Sequence, residues 1–163
     1  MPTSNDIKQL HPSLVAVYSE AKAAYIAAHP NGLRPRLGET YRSAEVQRAY
    51  YAQGRQAMPE INRLRTLAGL PAIGVADARQ IITKAQPGQS AHGFLPARAF
   101  DVLLLNPNGT ANWNEPAYTL FAMFVRTAAT KLGVGVHGAR HILGKKVDYE
   151  LASRRKIGIQ RNV

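Results

Sequence analysis

Apolar residues recur at helical spacing from Pro12 to His29, where Leu14, Val17, Tyr18, Ala21, Ala24, Tyr25 and Ala28 share a face behind a first-turn proline. This pattern predicts a core-packing helix. Pro30-Asn31-Gly32 breaks it, and Leu33 to Thr40 reads as a strand that delivers Tyr41 and Arg42. Ser43 then caps a helix running to about Gln53, with Gly54 as its stop. Pro59 to Ala68 predicts another helix, with Ile61, Leu64 and Leu67 inward and Gly69 ending it, followed by a short helical turn from Val75 to Gln80. Ile81-Ile82 and Ala99 to Leu105 read as strands, and Asn106-Pro107-Asn108-Gly109 as a turn. Asn114 and Pro116 open the longest predicted helix, striped by Ala117, Leu120, Phe121, Phe124, Val125, Ala128 and Leu132 and stopped by Gly133. Val134 to Leu151 predicts a hairpin turning near Leu143-Gly144, and the chain ends in a basic tail from Ser153.

The chain's 163 residues suit one domain, residues 1–152, that buries roughly 70% of its unfolded surface, with 153–163 as the tail. No apolar run approaches membrane-spanning length, and residues 1–10 lack the apolar centre of a signal peptide, so the expectation is a soluble protein made in the cytoplasm. The absence of cysteine removes disulfides and thiolate metal sites, leaving any metal to His, Asp and Glu. Lys and Arg number 21 against 10 acidic residues, a net charge of +11, which attracts polyanions such as nucleic acid, anionic lipid or phosphate-rich envelope polymers.

The chemistry concentrates in residues 88–101, Gly-Gln-Ser-Ala-His-Gly-Phe-Leu-Pro-Ala-Arg-Ala-Phe-Asp, where His92 and Asp101 flank a loop and Asp101 opens an apolar strand. One nitrogen and one oxygen ligand suit zinc, although a His–Asp pair is also a common structural hydrogen bond. Upstream, Thr40-Tyr41-Arg42-Ser43 places an arginine at a strand-to-helix turn, and Tyr51-Ala52-Gln53-Gly54-Arg55 follows.

The ordered set Tyr-Arg-Ser, Tyr-Ala-Gln-Gly-Arg, Pro-Gly-Gln-Ser-x-His and Ala-x-Asp resembles the D-alanyl-D-alanine carboxypeptidase and L-alanyl-D-glutamate endopeptidase family of zinc peptidases, which includes phage endolysins. The resemblance runs from Leu10 to Leu151. It implies an α+β fold, a small mainly antiparallel sheet flanked by helices, shared with the hedgehog signalling domain. It also implies His92 and Asp101 as zinc ligands, and Arg42 as the cation that binds a substrate carboxylate or carbonyl and stabilises developing charge. Ser90 would orient the His92 loop and border the substrate; Tyr50, Tyr51 and Trp113 are candidates to line the cleft, although tyrosines at helical spacing are usually core or core rim. The implied partner is bacterial peptidoglycan or another anionic envelope polymer, ahead of nucleic acid. The implied setting is a monomer acting at the cell wall after release, or associated with a virion.

Two regions depart from the family pattern. The interval from His92 to Asp101 is two residues longer than usual, with Ala97 where a glycine is typical. Near the C-terminus, ungapped alignment puts Asp148 at the position of a ligand histidine and Lys145 at that of the catalytic carboxylate. Asp148 can complete a set of one imidazole and two carboxylates, and Glu150, on the same side of a strand as Asp148, is the nearby candidate for a proton acceptor, though it reads first as a solvated strand carboxylate. His137 and His141 read as surface residues, and His11 and His29 as structural ones at helix boundaries. Three functions remain open: hydrolysis of a wall stem peptide by zinc-activated water, a catalytically inactive descendant that binds cell wall or serves as a virion structural protein, or, behind these, nucleic-acid binding driven by the charge.

Overall fold

The computed structural model describes residues 3–141 and 147–151, with side chains described as far as 137 and at Tyr149. The predicted hairpin turn at Leu143-Gly144, Lys145 and the basic tail lie outside the described residues. Helix α1 spans Pro12–Ala28, β1 Arg34–Leu37, α2 Ala44–Ala52, α3 Met58–Leu67 and the single turn α4 Val75–Ala78. Strand β2 spans Ala99–Leu105, β3 Ala111–Asn112, α5 Glu115–Lys131, β4 Val136–His141 and β5 Val147–Leu151. The strands form an antiparallel sheet in the order β1-β2-β5-β4, with the short β3 also paired to β2. The architecture is α+β, as the sequence resemblance implies.

Local chemistry accounts for the element ends. The Ser43 hydroxyl accepts from the Val46 N–H at 3.3 Å, satisfying a donor in the first turn of α2. Pro12 and Pro116 sit in the first turns of α1 and α5, where a missing N–H costs nothing. Helices α1 and α5 cover one face of the sheet, and their apolar stripes close the main core on Phe100, Val102, Leu104 and Tyr149. Because strand side chains alternate, the same registry turns Asp101 to the opposite face. Smaller apolar clusters join α2 to α3 through Val46, Ala49 and Ala68, and α3 to α4 through Ile61 and Ala78.

Several details differ from the sequence pattern: β1 ends at Leu37 instead of Thr40, and Ala24 and Ala28, expected on the core face of α1, are exposed because the buried stripe narrows toward that end of the helix. Ile81-Ile82 is not a strand: residues 81–86 form no regular element, and Ile81 is exposed. Leu67 and Leu132, expected inward, are 68% and 42% exposed, since each ends its helix where the apolar face has already left the core. Tyr118, Ala122 and Ala129 are instead buried on α5, widening its stripe. The short strand β3 was not anticipated; it follows the Asn106 to Gly109 turn and pairs Ala111 with Leu105.

Gly54 carries the chain out of α2 with φ +75°, and a Cβ there would lie 2.5 Å from Ile81 Cγ1 and 2.9 Å from the Ile81 nitrogen. Gly88 has φ +84° with nothing within 4 Å of an added Cβ. Gly54→Ala should therefore lower stability by more than about 1 kcal/mol, and Gly88→Ala by less than Gly54→Ala, because only the first adds a clash with backbone to the conformational strain. Urea denaturation of both variants checks this. Equal losses would mean that the contact with Ile81 relaxes freely.

Candidate metal centre

The site is built around residues 38–42, which continue from β1 and run between the two chemistry-bearing segments. On one side Gly38 N–H donates to the Asp101 carbonyl at 2.8 Å, and Asp101 N–H donates to the Glu39 carbonyl at 2.8 Å. On the other, Arg42 N–H donates to the His92 carbonyl at 3.0 Å, and His92 Nδ1 lies 2.9 Å from the Thr40 carbonyl oxygen. Residues far apart in sequence are thereby fixed to one strip of backbone. An N-terminal strap adds to it, with Ser4 N–H donating to the Tyr41 carbonyl and Thr40 N–H to the Ser4 carbonyl.

The contact with Thr40 requires the proton on Nδ1, because a carbonyl can only accept. In the neutral ring the lone pair then belongs to Nε2, which lies 3.7 Å from Asp101 Oδ1, with both side chains buried. A ring nitrogen anchored on a backbone carbonyl, with the other nitrogen turned to acidic oxygens, is the arrangement that orients a ligand histidine. Ser90 caps the short 3-10 turn Ala91–Gly93, its hydroxyl accepting from the His92 N–H at 3.3 Å. The longer loop after His92 is tied down at Ala97, which exchanges backbone hydrogen bonds with Gln9 and His11.

Glu39 completes the cluster. One ligand atom from each of Glu39, His92 and Asp101 lies within 4.8 Å of the others, and all three residues are buried. An imidazole and two carboxylates in that span fit a divalent cation, with the hard oxygens making the set less selective for zinc than a two-histidine site. Glu39 was absent from the sequence-derived candidates, where it fell within a predicted strand. Its signal was a carboxylate three residues before Arg42 in a segment otherwise destined for burial.

Arg42 lies beside the same cluster. Its Nε donates to the Glu39 carboxylate at 3.1 and 3.2 Å, its Nη2 also pairs with Glu39 Oε2, and its Nη1 donates to Gln47 Oε1 at 2.8 Å. Gln47, buried on α2, donates in turn to Thr83 Oγ1 at 3.2 Å and the Ala85 carbonyl at 2.6 Å. Burial opposes the Arg42 cation, but the Glu39 hydrogen bonds and the charges of Glu39 and Asp101 prevail and raise its pKa. The Tyr50 ring lies 5.0 Å from the guanidinium, while the neighbouring Tyr51 stacks on Arg55 at 3.9 Å.

Among the sequence-derived candidates, Arg42, His92, Asp101 and Ser90 thus gather in one region. Asp148 sits on β5 as the register partner of Asp101, and Glu150 pairs with Ala99 on β2 and His137 on β4. His137 is exposed. His11 caps α1 by accepting from Ser13 N–H at 3.3 Å, and His29 Nδ1 lies 3.1 Å from the Tyr25 carbonyl oxygen at the other end. No described helix is long and apolar enough to cross a membrane.

No protein-family model matches the chain, and no curated protein sequence does. Among solved structures, that of the Serratia marcescens L-Ala D-Glu endopeptidase ChiX is similar, with a TM-score of 0.52 and 21% identity over 90% of this chain and 83% of that one. The chain therefore shares the fold of that endopeptidase.

Proposed function

We propose that the protein is a metal-dependent peptidase that cleaves an amide bond in the stem peptide of peptidoglycan, with zinc as its ion. The observation that carries this reading is the buried convergence of Glu39, His92 and Asp101 beside Arg42. The shared fold with an L-Ala D-Glu endopeptidase supports the substrate class. In this reading His92 and Asp101 hold the ion, and Asp148, directly across from Asp101 in the sheet, is the position from which a further carboxylate is drawn. Zinc there supplies Lewis acidity and a water activated at neutral pH. Arg42 binds the substrate's carboxylate or the oxygen on which negative charge develops, a role suited to a planar cation held in place before the substrate arrives. Glu150 is the proposed proton acceptor, Ser90 holds the His92 loop in place beside the substrate, and Tyr51 borders the cleft. The net charge of +11 draws the protein to anionic wall polymers.

A wall-binding protein without catalysis is the second reading, favoured by Lys145 at the position where the resemblance implies a catalytic carboxylate. Purified sacculi separate the two. With added zinc the protein should release soluble fragments with new free amines, and His92→Ala should reduce the rate to below about one hundredth, since loss of a ligand exceeds the 10- to 100-fold effect of losing a group that merely orients one. Sacculus binding without new amines at any zinc concentration would reject the peptidase and leave the binding protein.

A further inference from the structure

We propose that Glu39 is shared between Arg42 and the metal pocket, so that loading the pocket releases Arg42 to take an anionic ligand. The inference deepens the peptidase reading and rests on it for the metal.

Arg42 is held at all three of its nitrogens: Nε and Nη2 lie on Glu39, Nη1 lies on Gln47, and the Tyr50 ring stands against the guanidinium. The Nε/Nη2 edge is the fork that recognises carboxylates in two-point fashion, and here an internal carboxylate occupies it. A substrate carboxylate can use that edge only if Glu39 gives way. Gln47 is the less yielding partner, because its amide nitrogen is itself fixed on Thr83 and Ala85.

Glu39 has somewhere to go. Its carboxylate already offers a ligand atom within 4.8 Å of those of His92 and Asp101, close enough for the three to meet around a cation. A divalent ion there competes with Arg42 for the same carboxylate, and it adds a positive charge that repels the guanidinium. Both effects favour an incoming anion at Arg42. In the absence of the ion, Glu39 neutralises Arg42 and holds the fork closed. Metal and anion binding are thus positively coupled through one side chain, and linkage makes the coupling reciprocal.

Nuclear magnetic resonance of the full-length, ¹⁵N-labelled protein tests this through the Arg42 Nε–H signal, assigned with Arg42→Lys. Held on Glu39, this proton exchanges slowly with water. Zinc should shift the signal and speed its exchange, and glutarate, a simple dicarboxylate, should then shift it again in the zinc-loaded protein but not in the zinc-free one. Calorimetry should show zinc binding weakened by more than about 100-fold in Glu39→Gln, since loss of a ligand exceeds the cost of losing a group that merely orients one. The wild-type spectra decide the matter even if that variant does not fold. Zinc binding that depends on His92 but leaves the Arg42 signal unchanged at saturation would overturn the coupling while sparing the peptidase reading. Absence of any His92-dependent zinc binding would overturn both.

Discussion

Phe100→Ala is expected to lower the free energy of unfolding by about 3–5 kcal/mol, the range for truncating a fully buried phenylalanine that leaves a cavity. Phe100 is 0% exposed, stacks on Tyr149 with ring centroids 5.1 Å apart, and meets the edge of Tyr18 at 5.6 Å. Phe100 and Tyr149 are also cross-strand partners, one step along the register from Asp101 and Asp148. The ring contact therefore sets the pairing of β2 with β5 as well as filling the core. Burial pushes the Tyr149 phenol's pKa up, so the stacked ring stays uncharged into alkaline solution as well. Met123→Ala, at an exposed position on α5, should change stability by less than about 0.5 kcal/mol. Urea midpoints of the two variants give the comparison, and similar losses would mean that Phe100 does not anchor the core between the sheet and α1. Zinc affinity should fall in Phe100→Ala as well, because Asp101 is the next residue on the same strand.

The parts of this fold that were legible in the sequence are those that local pattern determines. Helix α1 and strand β2 fall where the apolar spacing puts them, and Ser43, Gly54 and Gly133 mark helix ends because capping and left-handed backbone are chemically demanding. Ile81-Ile82 misled because two branched apolar residues look like a strand, whereas among the described residues no strand pairs with them. At the site, His92, Asp101 and Arg42 could be read from motif spacing. Glu39 could not, because its importance comes from the crossing of residues 38–42 between the Asp101 strand and the His92 turn, a long-range arrangement without local periodicity. Gln47 escaped for the same reason: on α2 it resembles an ordinary polar helix residue, and only the fold buries it against Arg42.

The Glu39–Arg42 pair should prove costly to break from one side and much cheaper to remove whole. Both residues are buried, Glu39 at 4% and Arg42 at 8% exposure, so Glu39→Leu would leave a guanidinium shielded from water without its counter-charge. Loss of one partner from such a pair typically costs about 3–5 kcal/mol. Arg42→Met alone should cost a comparable amount, because it takes the counter-charge from a buried carboxylate and deprives Gln47 Oε1 of its donor. Combining the two substitutions removes both charges together. The double variant should then recover most of the loss, retaining a deficit of about 1–3 kcal/mol for the unpaired Gln47 acceptor. A double-mutant cycle in urea measures the difference, and the coupling should diminish little with added salt, since the pair is screened from solvent. Strict additivity of the two single losses would show that Glu39 and Arg42 do not depend on each other for their charge. That result would remove the energetic ground for treating Glu39 as the side chain that holds the arginine in place.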